Sequence, residues 1–130
     1  MKIHILTDNK VKKRGFFAEH GLSILIEHKN FNVLFDTDKG LSIFLGCSHP
    51  GIINCLIHAL ALFPGKSIYS LVAGMHLESV TLERLQKTIQ YFKDLNIQKI
   101  IPLHCTGIFA ISEMKRFLGD RCHECGLYVK

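Results

Sequence analysis

Three histidines follow strand-like runs at nearly equal intervals along the chain. His49 follows LSIFLGCS, His76 follows SIYSLVAGM and His104 follows QKIIPL; the intervals are 27 and 28 residues, about one strand plus one helix each. If the three strands are parallel neighbours, the imidazoles emerge together at the carboxyl edge of one sheet, where open α/β sheets bind ligands. Three imidazoles and one open position are typical of catalytic zinc, so the spacing predicts a metal site at this edge.

Polar residues accompany these histidines at the predicted strand-to-helix turns. Cys47, Ser48 and Gly51 surround the first histidine, and Thr106 follows the third. Backbone N–H groups at a helix N-terminus can bind an anion, so these four residues are the predicted site for an anionic part of a substrate. One such turn alone is more often structural. Asp36 ends another strand-like run and could reach the same edge, as a metal ligand or as a partner that orients an imidazole.

A separate pair of cysteines, Cys122 and Cys125, forms a CxxC near the end of the chain. One CxxC can be half of a structural zinc site, which Cys47 or Cys105 could complete in space. The simpler interpretation, two free thiols in a C-terminal strand, is favoured because the sequence contains no second CxxC.

The composition is that of one globular domain. The chain has 130 residues, 48% of them hydrophobic and 21% charged, with a net charge of +5. Much of the excess positive charge lies in KVKKR at 10–14, where no aromatic residues interleave, so nucleic-acid binding is not expected. No apolar run approaches the roughly 18 residues of a membrane span, and the chain starts directly with a strand pattern. Five cysteines, an odd number, then favour reduced thiols and a cytoplasmic location.

The order of elements predicts an α/β fold in which N-terminal antiparallel strands precede βα units, with helices packed on the sheet. Helix 50–63 is expected to have Pro50 in its first turn and to bury a stripe formed by Ile53, Leu56, Leu60 and Phe63. Helix 81–95 has the clearest helical periodicity, and LSIFLG at 41–46 is typical of a buried strand. Predicted strands cover 2–7, 21–28, 31–36, 41–46, 66–74 and 98–102; predicted helices cover 50–63, 81–95 and 110–118; and the tail, 121–130, could form a final strand.

Several of these segments resemble the metallo-β-lactamase superfamily. The similar segments are GLSILIEH, FNVLFDT, GCSHPGIIN, AGMHL, LERLQKTI and PLHCTG, in that order. They are most similar to the branch related to the dihydropterin ribofuranosylaminobenzene phosphate synthases of archaea and thermophiles. The resemblance implies one domain over 1–130, in which 1–38 correspond to the start of the family fold and 39–130 to its end.

The resemblance also shows what this sequence does not contain. The family's HxHxDH metal motif belongs between Asp38 and Lys39 and occurs nowhere in the chain, which implies an internal deletion and a truncated sandwich fold. His49 and His104 match ligand positions of the family, whereas His76 lies where many relatives place a bridging carboxylate. The resemblance therefore implies zinc or another divalent metal, such as iron or manganese, bound at reduced stoichiometry or not at all.

Three functional hypotheses follow. The first is a metal-dependent hydrolase-like or pterin-phosphate-synthase-like protein with an incomplete metal site, whose small-molecule substrate could be phosphorylated and whose catalytic residues are unknown. The alternative is a non-catalytic remnant of the fold that acts as a binding or structural module. The third is a structural metal protein that uses the CxxC. In each case a homo-oligomer is expected, because removing half of a sandwich exposes an apolar face.

Overall fold

The computed structural model describes residues 2–7, 23–28, 31–36 and 39–123, with the backbone alone in the first three ranges. The strands are β1 (Lys2–Thr7), β2 (Ser23–His28), β3 (Phe31–Asp36), β4 (Gly40–Cys47), β5 (Ile68–Gly74) and β6 (Lys99–Pro102). The α-helices are α1 (Ile52–Leu62), α2 (Leu82–Asp94) and α3 (Ile108–Leu118), and 3₁₀ turns cover His104–Thr106 and Gly119–Arg121.

The six strands form one sheet in chain order. Neighbouring strands from β1 to β4 are antiparallel, and β4, β5 and β6 are parallel. Parallel neighbours need a long crossover connection, and α1 and α2 supply the two crossovers. The predicted fold class, antiparallel strands followed by βα units with helices on the sheet, is confirmed.

The helices pack on one face of the parallel strands. Leu41, Ile43 and Leu45 of β4 are buried in the same core as residues of all three helices, whereas Phe44 between them is 40% exposed. The prediction of a buried strand at 41–46 therefore holds for one face of the strand and is wrong for the other. Side chains alternate between the two faces of a strand, and among the described residues the helices cover only one of them.

Helix α1 differs from its prediction in the face that it buries. The chain enters the helix through Gly51, whose φ of 95° suits glycine, so Pro50 lies outside the first turn. Ile52, Leu56 and Ala59 are the buried residues, rather than a stripe centred on 53, 56, 60 and 63. Two positions of the predicted stripe, 53 and 60, come one residue after the buried Ile52 and Ala59. Apart from Leu56, the residues of the predicted stripe are only partly buried against the core.

Helix α2 agrees with its prediction within one residue at each end. The Thr81 hydroxyl accepts a hydrogen bond from the Arg84 N–H at 3.3 Å, which caps the helix. Leu85, Ile89 and Phe92 point into the core.

After the last 3₁₀ turn the chain returns to β6. Cys122 is buried and forms a parallel bridge with Ile100, and the His123 N–H donates to the Ile100 carbonyl at 2.8 Å. The rest of the predicted final strand, Cys125 and the basic segment 10–14 lie outside the described residues, and the division of the domain at residue 38 remains a prediction. Within the described ranges, no helix is both long and apolar enough to cross a membrane.

Candidate functional site

The three histidines predicted to share one edge do emerge there. Each lies two residues beyond the end of its strand: His49 after β4, His76 after β5 and His104 after β6. All three side chains are exposed. The predicted parallel, adjacent arrangement of these strands is confirmed, and it brings the three imidazoles to the carboxyl edge of the sheet.

Backbone hydrogen bonds tie the three loops to one another. The Ser48 N–H donates to the Gly74 carbonyl at 2.8 Å, and the Leu103 N–H donates to the Ala73 carbonyl at 2.7 Å. In addition, the Leu77 N–H donates to the carbonyl of Cys105 at 3.2 Å. The loops that carry His49, His76 and His104 are therefore fixed relative to one another through the end of β5.

Two of the histidines lie against each other. The ring centroids of His49 and His76 are 4.8 Å apart, with the ring planes at 49°. His76 has a φ of 52°, in the left-handed region that residues other than glycine seldom adopt. Such backbone conformations cost energy and occur often at functional sites.

The third histidine has different neighbours. His104 Nε2 is 3.0 Å from Cys47 Sγ, and Cys105 completes a group whose three ligand atoms all lie within 4.8 Å of one another. Among the described residues, these three side chains lie close enough together to share one metal ion, whereas His49, His76 and His104 as a set do not. The structure thus divides the predicted histidine site into an imidazole pair and a thiol–imidazole cluster, which we call the sulfur cluster.

The sulfur cluster depends on a strand end without a side chain. Strand β5 lies between β4 and β6, and its last residue, Gly74, pairs with Cys47 at the end of β4. A Cβ added to Gly74 would lie 2.8 Å from Cys105 Sγ and 2.9 Å from the Gly46 carbonyl oxygen, both closer than real Cβ contacts. Glycine therefore provides the space in which the flanking residues meet.

The thiol of Cys47 is protonated more firmly than a free thiol. The hydrogen bond with Cys105 raises the pKa of Cys47 most, and desolvation and the charge of Cys105 raise it further. Nucleophilic cysteines have a lowered pKa instead. The direction of the pKa shift of Cys47 is therefore opposite to that expected for an activated nucleophile.

A cleft of about 350 Å³ borders both groups of side chains. Arg84 contributes the cation of this cleft, from the first turn of α2, and the sequence analysis did not identify it. Ser48 is 3% exposed; its hydroxyl lies beside the Cys55 thiol but has no well-formed hydrogen bond among the described residues. The cleft is lined by Ser48, His49, His76, Glu78, Ser79, Val80, Arg84 and Cys105.

The remaining predicted site residues have structural contacts. Thr106 is buried, and its hydroxyl accepts a hydrogen bond from the Met75 N–H at 3.2 Å. The Gly51 N–H donates to the Ser48 carbonyl at 2.8 Å, and Gly51 lines a second cleft, of about 270 Å³. Asp36 ends β3 opposite Gly40, and its side chain is outside the described part of the structure. The roles predicted for these residues in binding remain predictions.

The fold corresponds to part of a known metal-dependent hydrolase. The solved structure of Tm1679, a metal-dependent hydrolase of the beta-lactamase superfamily, matches with a TM-score of 0.66 and 24% identity, over 95% of this chain and 50% of that one. The described chain therefore has a truncated metallo-β-lactamase-like fold.

Sequence comparison finds two relatives in Methanocaldococcus jannaschii. One is 7,8-dihydropterin-6-methyl-4-(beta-D-ribofuranosyl)-aminobenzene-5'-phosphate synthase, 39% identical over 74 residues, which are 57% of this chain and 25% of the relative. The other is the uncharacterized protein MJ0448, 35% identical over 83 residues, which are 64% of this chain and 30% of the relative. The similarity thus spans less than a third of each relative. No protein-family model matches the chain. Together, fold and sequence similarity support the predicted resemblance to the metallo-β-lactamase superfamily.

Proposed function

We propose that this protein binds a small phosphorylated molecule in the cleft at the carboxyl edge of β4 and β5. It would be a hydrolase-like or pterin-phosphate-synthase-like protein of the cytoplasm with an incomplete histidine metal site. The observation that carries the proposal is that His49, His76 and Arg84 line one cleft. The relative whose name includes a ribofuranosyl 5'-phosphate supports a phosphorylated ligand.

The cleft has donors suited to a phosphate group. Arg84 offers a planar fork of N–H groups, which binds phosphate oxygens in pairs. The buried Ser48 hydroxyl can donate to an oxygen, and the two imidazoles that line the same cleft can donate N–H groups. Glu78 lines the same cleft and opposes an anion there, so Arg84 must supply most of the attraction.

Replacing Arg84 by glutamine should weaken the binding of ribose 5-phosphate about 10- to 100-fold, because a hydrogen bond to a charged group is worth roughly 1.5–3 kcal/mol. Isothermal titration calorimetry on the metal-free full chain measures this, with ribose as the unphosphorylated ligand. Glu78→Gln should strengthen binding, since it removes the opposing charge.

Lys99→Gln is the matched control for this change of charge. Lys99 begins β6 and therefore lies at the opposite edge of the sheet. If Lys99→Gln weakens binding as much as Arg84→Gln, or if ribose binds as well as its phosphate, the cleft is not a phosphate site.

A divalent metal of the kind that the superfamily uses would be held by His49 and His104, with His76 and Asp36 as further candidate ligands. Zinc, iron or manganese there would supply Lewis-acid polarisation of a substrate oxygen. His104 faces two thiols rather than the other imidazoles, so the histidine set alone does not fit a three-ligand site, and no catalytic step is assigned to it.

We further propose that the protein forms a homo-oligomer. The supporting observation is the face of the parallel strands that the helices do not cover. Phe44 is 40% exposed, and its neighbours in the same row of the sheet, Val72 and Ile101, are half-buried. An apolar row of this kind is normally covered by a partner. The same surface would serve the alternative function, a non-catalytic binding or structural module.

Phe44→Lys should convert an oligomer into a monomer, because it places a charge at the most exposed position of this row. Light scattering after size exclusion should give at least twice the 14.8 kDa of one chain for the wild type, and 14.8 kDa for the variant. Phe109→Lys, on the exposed start of α3, is the control that should keep the wild-type mass. A wild-type mass of 14.8 kDa would contradict the proposal.

A further inference from the structure

The fold places sulfur, not a third imidazole, next to His104. We propose that Cys47, His104 and Cys105 together bind one Zn²⁺ ion. The proposal is independent of phosphate binding in the cleft, and it replaces the histidine set by a set containing two thiolates. Two cysteines and one histidine with an open fourth position are one of the donor sets of catalytic zinc.

The distances are close to what a bound ion needs. Zinc bonds of about 2.3 Å to sulfur and about 2.0 Å to nitrogen put the ligand atoms of a tetrahedral site roughly 3.5–3.8 Å apart. Here one pair is 3.0 Å apart and all pairs are within 4.8 Å. Cys47 and His104 are exposed, so their side chains can rotate to adjust, and a metal ion can reach them from solvent.

The topology explains why the three residues meet at all. Strands β4 and β6 are separated by β5, so their ends lie roughly 9–10 Å apart at the usual strand spacing. Gly74 ends β5 without a side chain, and Cys105 Sγ lies 2.8 Å from where a Cβ of this residue would be, too close for a real Cβ. The backbone hydrogen bonds from Leu103 to Ala73 and from Leu77 to Cys105 fix the turn that carries His104 and Cys105 against the end of β5.

Ligand chemistry decides which metal the cluster selects. Thiolates favour zinc over magnesium, calcium and manganese, which prefer oxygen ligands. Cys105 also lines the cleft beside His49 and His76, so the ion would border the space proposed for the phosphorylated ligand. Cys47 and Cys105 form no disulfide, so both sulfurs can act as zinc ligands.

Cobalt substitution tests the proposal directly, because thiolate ligands to Co²⁺ give a charge-transfer band in the near ultraviolet that imidazoles alone do not give. The full chain, reduced with a phosphine, is titrated with Co²⁺ and then with Zn²⁺. One Co²⁺ per chain is expected, with a thiolate band that Zn²⁺ abolishes. Cys47→Ser and Cys105→Ser should each weaken Co²⁺ binding at least about 100-fold, because even residues that only orient ligands cost 10- to 100-fold.

Cys55→Ser is the matched control. Cys55 lies in α1, outside the cluster, and this variant should keep the band and the affinity. Circular dichroism checks that each variant folds. Cobalt bound without a thiolate band, or a band unchanged in Cys47→Ser, would overturn the proposal. So would a band that only Cys125→Ser removes, or no binding by the folded wild type. Phosphate binding is measured without metal, so either proposal can fail alone.

Discussion

Phe92→Ala is expected to lower the free energy of unfolding by about 3–5 kcal/mol, the usual cost of removing a large buried aromatic side chain. Phe92 has an exposed fraction of 0% and lies in α2, which contacts both α1 and α3. Removal of its ring would therefore leave a cavity in the core. Urea denaturation followed by circular dichroism measures the change, as a lower midpoint at an unchanged slope.

Phe109→Ala provides the comparison for the same chemical change at the surface. Phe109 is 65% exposed at the start of α3, so its removal should change the free energy of unfolding by no more than about 0.5 kcal/mol. Equal losses in the two variants would mean that Phe92 is not at the centre of the core.

The order of strands and helices could be predicted from the sequence because it depends on the hydrophobic periodicity of short segments. Strand and helix periods alternate along the chain, and parallel neighbours follow from that order. Of the helices, α2 was predicted most closely, because Thr81 caps it and its apolar residues lie on a single face. Helix α1 was predicted less well. Its segment IINCLIHALAL is apolar almost all round, so the periodicity does not define which face is buried.

The site was predicted only in part, because its pairings depend on contacts between distant segments. Spacing indicated that His49, His76 and His104 share an edge, but not that His104 turns toward Cys47. Nor does the spacing indicate that a side chain at Gly74 would crowd the Cys105 thiol, which follows only once β5 is known to lie between β4 and β6.

Arg84 left a signal that could have been used. An arginine in the first turn of a helix is unfavourable beside the positive end of the helix dipole. Such a residue, placed eight positions after His76, is more readily explained by binding an anion than by helix stability. The position of Arg84 in the cleft could be recognised only from the folded structure.

Gly107→Ala should lower the free energy of unfolding by about 2–6 kcal/mol, for two reasons that act together. Gly107 has a φ of 84°, and forcing alanine into such a conformation costs about 1–3 kcal/mol. The added Cβ would also lie 2.7 Å from the Glu78 Cα, and relieving an overpacked contact of this kind costs about 1–3 kcal/mol more. Chemical denaturation of the variant measures the total.

Two other glycines separate these two causes. Gly65 has a φ of 79° but no atom within 4 Å of an added Cβ, so Gly65→Ala should show the backbone cost alone, about 1–3 kcal/mol. Gly46 has neither the conformation nor a close neighbour, so Gly46→Ala should stay within about 0.5 kcal/mol of the wild type. Equal losses in Gly107→Ala and Gly65→Ala would show that the contact with Glu78 adds nothing. Because Gly107 follows the turn that carries His104 and Cys105, the overpacked variant should also bind Co²⁺ more weakly than the wild type, whereas Gly65→Ala should not.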